Sequence, residues 1–275
     1  MLLKLGAAIV LAIAVLAIAG PAIAPVDPSA QNLPLRLNGP SLAHPFGLDE
    51  LGRDVFARIL VGARISFFIA IVVIGVSAVV GTLLGAVAGY FGGWVDEVIS
   101  RVTDTLMAFP GLLLAIALVA VLGPSLANTL FALTAIGWVG FARLVRGQVL
   151  RAREFEYVQA ARALGATTSR LLLRHVVPST LPAIVVQATL GMAGVVISEA
   201  ALSFLGLGVQ PPTPSWGSML SGGRVHLLDA PHLTVFPGVA IALLVLGFNF
   251  LGDGLRDLTD PKQQGRRASS DGAPA

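Results

Sequence analysis

Six long runs of uncharged, mostly apolar residues dominate this chain and restrict the folds open to it. They occupy residues 5–26, 66–89, 105–122, 125–142, 179–198 and 233–252. A helix needs roughly 20 apolar residues to cross a membrane, and backbone groups in lipid must be bonded within their own segment. Only 12% of the residues are charged, about half the share of a soluble domain. The runs predict an all-α, polytopic membrane protein with six transmembrane helices.

Basic residues are unevenly distributed between the two sides of these runs. With six spans and both termini in the cytoplasm, 13 of the 18 lysines and arginines fall inside and 5 outside. Seven arginines lie in the insert between the fourth and fifth runs, residues 143–178. Cytoplasmic loops carry the excess of Lys and Arg. The charges therefore predict that both termini and this insert are cytoplasmic.

The first run admits two interpretations. Lys4, the apolar residues after it and the sequence Ala22-Ile23-Ala24 are also typical of a signal peptide. A mature chain beginning at Pro25 would support cleavage. The run is long for the apolar region of a signal peptide, so we expect a retained helix.

The sequence lacks the motifs of several enzyme classes. It has no G-x-x-x-x-G-K-[ST] phosphate loop, no H-E-x-x-H motif and no G-x-S-x-G turn. It also has no cysteine, which excludes disulfides and thiolate chemistry. His226, Asp229 and His232 share one outer loop, but such loops are usually solvated surface rather than metal sites. We therefore predict that the chain is not an enzyme and holds no ATPase site, metal or cofactor.

Few polar side chains lie in the apolar runs. Gln187 lies within the fifth run, Glu199 directly follows it, and Asn249 is near the inner end of the sixth. An ionisable group in a membrane indicates function by default. The carboxylates here lie near interfaces, which weakens the alternative of a secondary transporter. Together with Trp216, in the proline-rich outer segment 203–220, these residues are candidates for a translocation path or gate.

Small residues and prolines indicate how the spans pack. Gly81, Gly85 and Gly89 recur every four residues, so they share one helix face on which a neighbouring backbone can approach closely. Pro110 and Pro237 interrupt the third and sixth runs, where each favours a kink.

The segment before the second run, residues 44–66, has an amphipathic pattern. Four apolar residues fall on one helical face: Val55, Phe56, Ile59 and Leu60. The pattern predicts an amphipathic helix that lies at the outer membrane surface. Asp49 is the expected cap of this helix.

Within the insert, the sequence predicts a helix, a sharp turn and a second helix. The residues of the first helix share helical spacing: Tyr157, Ala160, Ala161 and Leu164. Gly165 then offers a helix stop. Thr167 or Thr168 can cap the second helix, which Pro178 is expected to end. A loop that only sets orientation does not need two capped helices, so the slim turn indicates a fit to a groove on another protein.

The stretch from Glu156 to Pro178 resembles the EAA loop of ABC-importer permeases, whose pattern is E-A-A-x3-G-x9-I-x-L-P. The matches are Ala160, Ala161, Gly165 and Pro178; Gln159, His175 and Val177 replace the glutamate, isoleucine and leucine. Together with FGLDELGRDVFARILVGARIS and EAALSFLGLGVQPPTPSWGSML, the stretch is similar to C-type subunits of the dipeptide, oligopeptide and nickel permease family. The similarity covers about residues 44–261.

The resemblance implies a type I ABC importer permease fold in the bacterial inner membrane. It implies that the EAA turn docks in a cleft of a separate ATPase, through Glu156, Gln159, Ala160, Ala161, Gly165 and Pro178. The implied partners are a second permease in a heterodimer, one or two ATP-binding subunits, an extracytoplasmic solute-binding protein and membrane lipid, without nucleic acid. The implied solutes are peptides, nickel complexes, opines or glutathione.

We expect three parts in the chain: residues 1–64 with the first span and the outer segment, a core over 65–261 with five spans, and a disordered cytoplasmic tail over 262–275. Two alternative functions remain at the level of the sequence. One is a secondary transporter or channel that acts without ATP. The other is a membrane scaffold, whose 150–178 region would bind no ATPase.

Overall fold

The computed structural model of the protein describes residues 1–24 and 26–259. These residues form ten α-helices, and their only extended pairing is an isolated bridge between Leu48 and Asp54. The helices are α1 (Leu2–Ile23), α2 (Val55–Phe91), α3 (Gly93–Met107), α4 (Gly111–Leu122), α5 (Leu126–Ala152), α6 (Glu156–Ala163), α7 (Thr168–Leu171), α8 (Val177–Phe204), α9 (Trp216–Gly223) and α10 (His232–Thr259). Two features of the sequence predictions lie outside the described residues. They are the expected disordered tail, residues 262–275, and residue 25, where the chain would begin after signal cleavage.

Five helical segments are long and apolar enough to cross a membrane: α1, α2, α5, the continuous run Thr168–Phe204 that contains α8, and α10. A sixth crossing exists if α3 and α4 are counted together, although they are bent by 85°. The predicted all-α, multi-span membrane fold is therefore confirmed. Its span number is five, or six with the bent pair.

The third predicted span, residues 105–122, is not a single helix. α3 ends at Met107, and Pro110 is the N-cap of α4. Proline lacks an N–H and disfavours the helical conformation in the residue before it, so the chain turns there. The 12 residues of α4 extend only about 18 Å, which is shorter than the hydrocarbon core. Pro237, in contrast, lies inside α10, and the helix continues through it.

The outer segment does not form a separate surface helix. Residues 55–64 are the first turns of α2, which crosses the boundary expected at residue 64. Most of their apolar side chains are buried in the bundle, and Val55 is fully buried. The N-cap is Asp54, whose carboxylate accepts the Ala57 N–H at 2.8 Å. Asp49, the expected cap, instead binds the Arg53 side chain at 2.6 Å.

The glycine face of α2 packs directly on α5, as the sequence predicts. A Cβ added at Gly81 would lie 2.5 Å from the Trp138 carbonyl oxygen. At Gly89 it would lie 2.8 Å from the Arg146 carbonyl oxygen. Any side chain at these positions would push the two backbones apart, so the glycines hold α2 and α5 together as one unit.

The first helix lies antiparallel along the last one. A Cβ at Gly254 would lie 2.6 Å from the Leu3 Cα, and a Cβ at Gly247 would lie 2.8 Å from a methyl carbon of Ile9. The contacts run in opposite chain directions in the two helices. α1 is thus closely packed on α10.

Candidate functional site: the insert and a central cleft

Residues 143–152 of the insert (residues 143–178) extend α5 beyond the end predicted at residue 142. The rest of the insert forms two short helices joined by a tight turn, as its sequence predicts. Gly165, between α6 and α7, has a φ of +84°, a conformation that glycine adopts readily and other residues rarely do. The Thr167 hydroxyl accepts the Arg170 N–H at 3.4 Å and caps α7. One expectation is wrong, because Pro178 does not end the second helix. It lies in the first turn of α8, directly after the π-helical turn Leu172–Val176, and the helix continues through it.

The second helix of the insert is continuous with a membrane span. α7 passes through a π-helical turn over Leu172–Val176 directly into α8. π-Helical turns within α-helices are frequent at functional positions. No loop therefore separates α7 from α8.

The surface of the insert that faces away from the helix bundle exposes large apolar side chains. Leu164, beside the turn, is 89% exposed, and Leu173 is 68% exposed. The aromatic rings of Phe155 and Tyr157 are each about half exposed. The predicted coupling residues lie on the same segment and are exposed, apart from the half-buried Ala161: Glu156, Gln159, Ala160, Gly165 and Pro178. Exposed apolar groups among polar ones mark interaction surfaces. Phe155 was not among the predicted residues, although an aromatic residue beside a polar helix start is a recognisable signal.

The surface of the insert that faces the helix bundle is packed against it. Three of its side chains are buried in the core: Val158, Leu171 and Val176. Their cluster also contains Val149 at the end of α5. An Arg153 guanidinium N–H donates to the Gly89 carbonyl at 3.2 Å, and the Arg162 guanidinium lies 5.9 Å from the centre of the Tyr90 ring. The insert is therefore attached to the ends of both α2 and α5.

A central cleft of about 260 Å³ lies between α4, α5 and α8. α8 contributes one stripe of residues at helical spacing: Gln187, Gly191, Gly194 and Ser198. Gly137 of α5 and Gly111 of α4 face this stripe from the other walls. The predicted residue Gln187 is thus placed in an open cleft between these helices.

Comparison with known proteins identifies this architecture. Residues 81–265 match the family described as binding-protein-dependent transport system inner membrane component. The chain belongs to this family. It is 46% identical to the dipeptide transport system permease protein DppC of Alkalihalophilus pseudofirmus over 259 residues. This match covers 94% of the chain and 85% of DppC. The chain is 50% identical to the glutathione transport system permease protein GsiD of Escherichia coli O157:H7 over 228 residues. That match covers 83% of the chain and 75% of GsiD. The protein is an ABC importer permease of the peptide family and a multi-pass inner-membrane protein.

The remaining predicted path residues of the permease do not converge on the cleft. Glu199 is buried near the end of α8, where it accepts hydrogen bonds from the hydroxyls of Ser203 at 2.8 Å and Ser66 at 3.3 Å. Trp216 is buried at the start of α9, and its indole N–H donates to the Ile59 carbonyl at 3.0 Å. Glu199 therefore joins α8 to α2, and Trp216 joins α9 to α2.

The fourth predicted residue, Asn249, lies half-buried on α10. It is absent from the lining of the central cleft within the described residues. Gln187 is consequently the only predicted path residue that the described part of the permease places in that cleft.

Two arginine–carboxylate pairs, which were not predicted, join α3 to α5. Arg146 binds Asp96 through both Nε and Nη2, the second contact at 2.7 Å. Arg143 binds Asp104 at 2.6 Å. In the described part of α3 only Thr103 is buried, so little apolar burial holds this helix in place. The two ion pairs are its main polar attachment to the bundle.

His44 and His232, from segments predicted to lie outside, each contact a different part of the fold. His232 is buried at the start of α10, and its Nε2 lies 3.3 Å from the Leu48 carbonyl oxygen. His44 Nδ1 lies 2.7 Å from the Asp54 carboxylate that caps α2. Across residues 1–24 and 26–259, no three histidine or carboxylate side chains are grouped closely enough to hold a metal ion.

Proposed function

We propose that this subunit forms, with a second permease in a heterodimer, the translocation path of an ATP-driven importer for peptides or a related small solute. One or two separate ATP-binding subunits supply the energy, because the chain has no phosphate loop of its own. An extracytoplasmic binding protein delivers the solute to the outer side. Both termini lie in the cytoplasm, as the distribution of basic residues favours. The relatives named for dipeptide and glutathione transport support this class of solute.

The observation that carries the proposal is the structure of the insert. Its tip exposes Leu164 beside the left-handed Gly165, while its base is buried in the bundle. Such a rigidly mounted, apolar-tipped turn suits a groove on an ATPase subunit. Closure of the ATPase pair would then displace α7 and, through the π-helical turn, α8. This movement would switch the bundle between its inward-facing and outward-facing states.

The core of five spans and the insert form the transport unit in this proposal. Residues 1–64 contribute the first helix and the outer segment, and residues 262–275 form a cytoplasmic tail. The first helix is retained, because its close packing on α10 gives it a structural role in the bundle.

Substitution of Gly165 by leucine tests the coupling role. We expect Gly165→Leu to abolish ATP-dependent uptake and co-purification of the ATPase subunits, with normal membrane insertion. Gly206→Leu is the matched control. Gly206 has a φ of +79°, ends its helix with the same pair of backbone hydrogen bonds as Gly165, and a Cβ at either glycine meets no atom within 4 Å. Both variants therefore strain the backbone in the same way, but only Gly165 lies in the insert.

Three results would contradict the proposal. The first is unimpaired uptake in Gly165→Leu, and the second is an equal loss of ATPase binding in Gly206→Leu. The third is solute flux into liposomes that contain the purified chain alone without ATP, which would favour a secondary transporter or channel.

A further inference from the structure

The central cleft of the permease is lined without formal charge. Its described lining residues include four glycines and several aliphatic side chains, and no Asp, Glu, Lys, Arg or His. Gln187 and Ser198 are the polar side chains among them. The arginine–carboxylate pairs of the neighbouring region lie in a separate cleft between α3 and α5. This half of the proposed path therefore presents no fixed charge to a solute.

One of the two polar groups is already used inside its own helix. The Ser198 hydroxyl donates to the Gly194 carbonyl at 2.9 Å, a common arrangement for serine in a helix. The Gln187 amide, in contrast, makes no hydrogen bond to any residue that the structure describes. Its two N–H donors and its carbonyl acceptor are free for a molecule in the cleft.

The position of Gln187 makes this free amide informative. It lies ten residues after the start of α8, or about 15 Å along the helix axis. Gln187 is half-buried in the cleft, so its amide is satisfied there by water or by a solute. Two turns further along the same helix face the cleft stays open, because a Cβ at Gly194 would meet no atom within 4 Å. The amide thus borders an open cleft in which a ligand can replace water.

We propose that Gln187 is a specificity-determining residue that hydrogen-bonds the backbone amide groups of the solute during passage. A side-chain amide matches a peptide group in both donor and acceptor. Because the surrounding cleft is uncharged, this subunit accepts peptide-bearing solutes with little regard to the charge of their side chains. The inference rests on the proposed function, and it assigns charge selection to the binding protein or the second permease.

The test measures uptake by the complete transporter in proteoliposomes with three probes: Ala-Ala, Ala-Lys and Ala-Glu. The quantity of interest is the ratio of Ala-Lys to Ala-Glu uptake, which does not depend on expression level. Gln187→Glu should raise this ratio about tenfold relative to wild type, the effect of one charge a few ångströms away in a partly solvated site. Gln187→Lys should lower it by a similar factor. Gln187→Leu should reduce uptake of all three probes about fivefold, the effect of one lost hydrogen bond, and leave the ratio unchanged.

The control is Gln210→Glu, which adds the same charge at an exposed position outside the cleft. We expect it to keep the wild-type ratio. An unchanged ratio in both charged Gln187 variants, an equal shift in Gln210→Glu, or full uptake in Gln187→Leu would overturn the inference while ATP-dependent uptake by wild type persists. If the wild-type transporter shows no ATP-dependent uptake of any probe, the proposed function itself fails, and the inference with it.

Discussion

Replacement of Gly85 by alanine measures how closely α2 and α5 must approach. A Cβ at position 85 would lie 3.0 Å from the Ala142 Cα and 3.0 Å from the Arg146 backbone nitrogen, and closer still to the Ala142 carbonyl oxygen. These are backbone atoms, so no change of side-chain rotamer relieves the contact. One helix must shift. Overpacking of this kind costs about 1–3 kcal/mol.

A matched variant, Gly75→Ala, separates this contact from helix propensity. Gly75 lies in the same helix, and a Cβ there meets no atom within 4 Å. Alanine favours the helix over glycine by about 1 kcal/mol in water, and this gain is common to both variants. The difference between them therefore reports the close approach alone. We expect Gly85→Ala to melt about 2–8 °C below Gly75→Ala.

The assay is thermal unfolding of the purified permease in detergent, followed by the fluorescence of its three tryptophans. Equal melting temperatures for the two alanine variants would refute the argument. They would mean that α2 and α5 are far enough apart to accept a methyl group at position 85, and that the glycine face has no packing role there.

Three further outcomes follow from buried or paired polar groups. A double-mutant cycle on Asp96→Asn and Arg146→Gln should give a coupling energy of about 0.5–1 kcal/mol, because the pair is partly exposed; no coupling would contradict its role in holding α3. Trp216→Phe removes the hydrogen bond to the Ile59 carbonyl and should lower the free energy of unfolding by at least about 1 kcal/mol, measured by thermal melting. Glu199→Leu leaves two serine hydroxyls without their acceptor and should cost about 1–3 kcal/mol, whereas Glu199→Gln keeps an acceptor and should melt higher.

Features set by neighbours in the sequence could be predicted from it. The helix–turn–helix of the insert depends on Gly165 and on the Thr167 cap, and both act within a few residues. The break at Pro110 could be placed for the same reason, although its angle of 85° could not. The angle depends on how α4 packs on α5, which no local signal reports.

The predictions of features that depend on tertiary contacts were wrong or incomplete. The apolar face that starts at Val55 has the same pattern whether it rests on lipid or on protein, so a buried helix start was predicted as a surface helix. Gln187 was recognised as unusual in its span, but its cleft requires Gly111 and Gly137 from two other helices. A polar residue within an apolar span shows that the position is unusual, but only the fold shows which residues or which cleft it faces.

The two parts of the candidate site share one helix, and this connection explains how they would act together. From Leu171 at the base of the insert to Gln187 in the cleft, the chain is helical throughout, a length of about 24 Å. α2 and α5 pack backbone to backbone along the glycine face of α2. In the proposed mechanism, displacement of the insert would move α8 relative to this closely packed pair. The cleft lies between α5 and α8, so such a movement would change the width of the space beside Gln187.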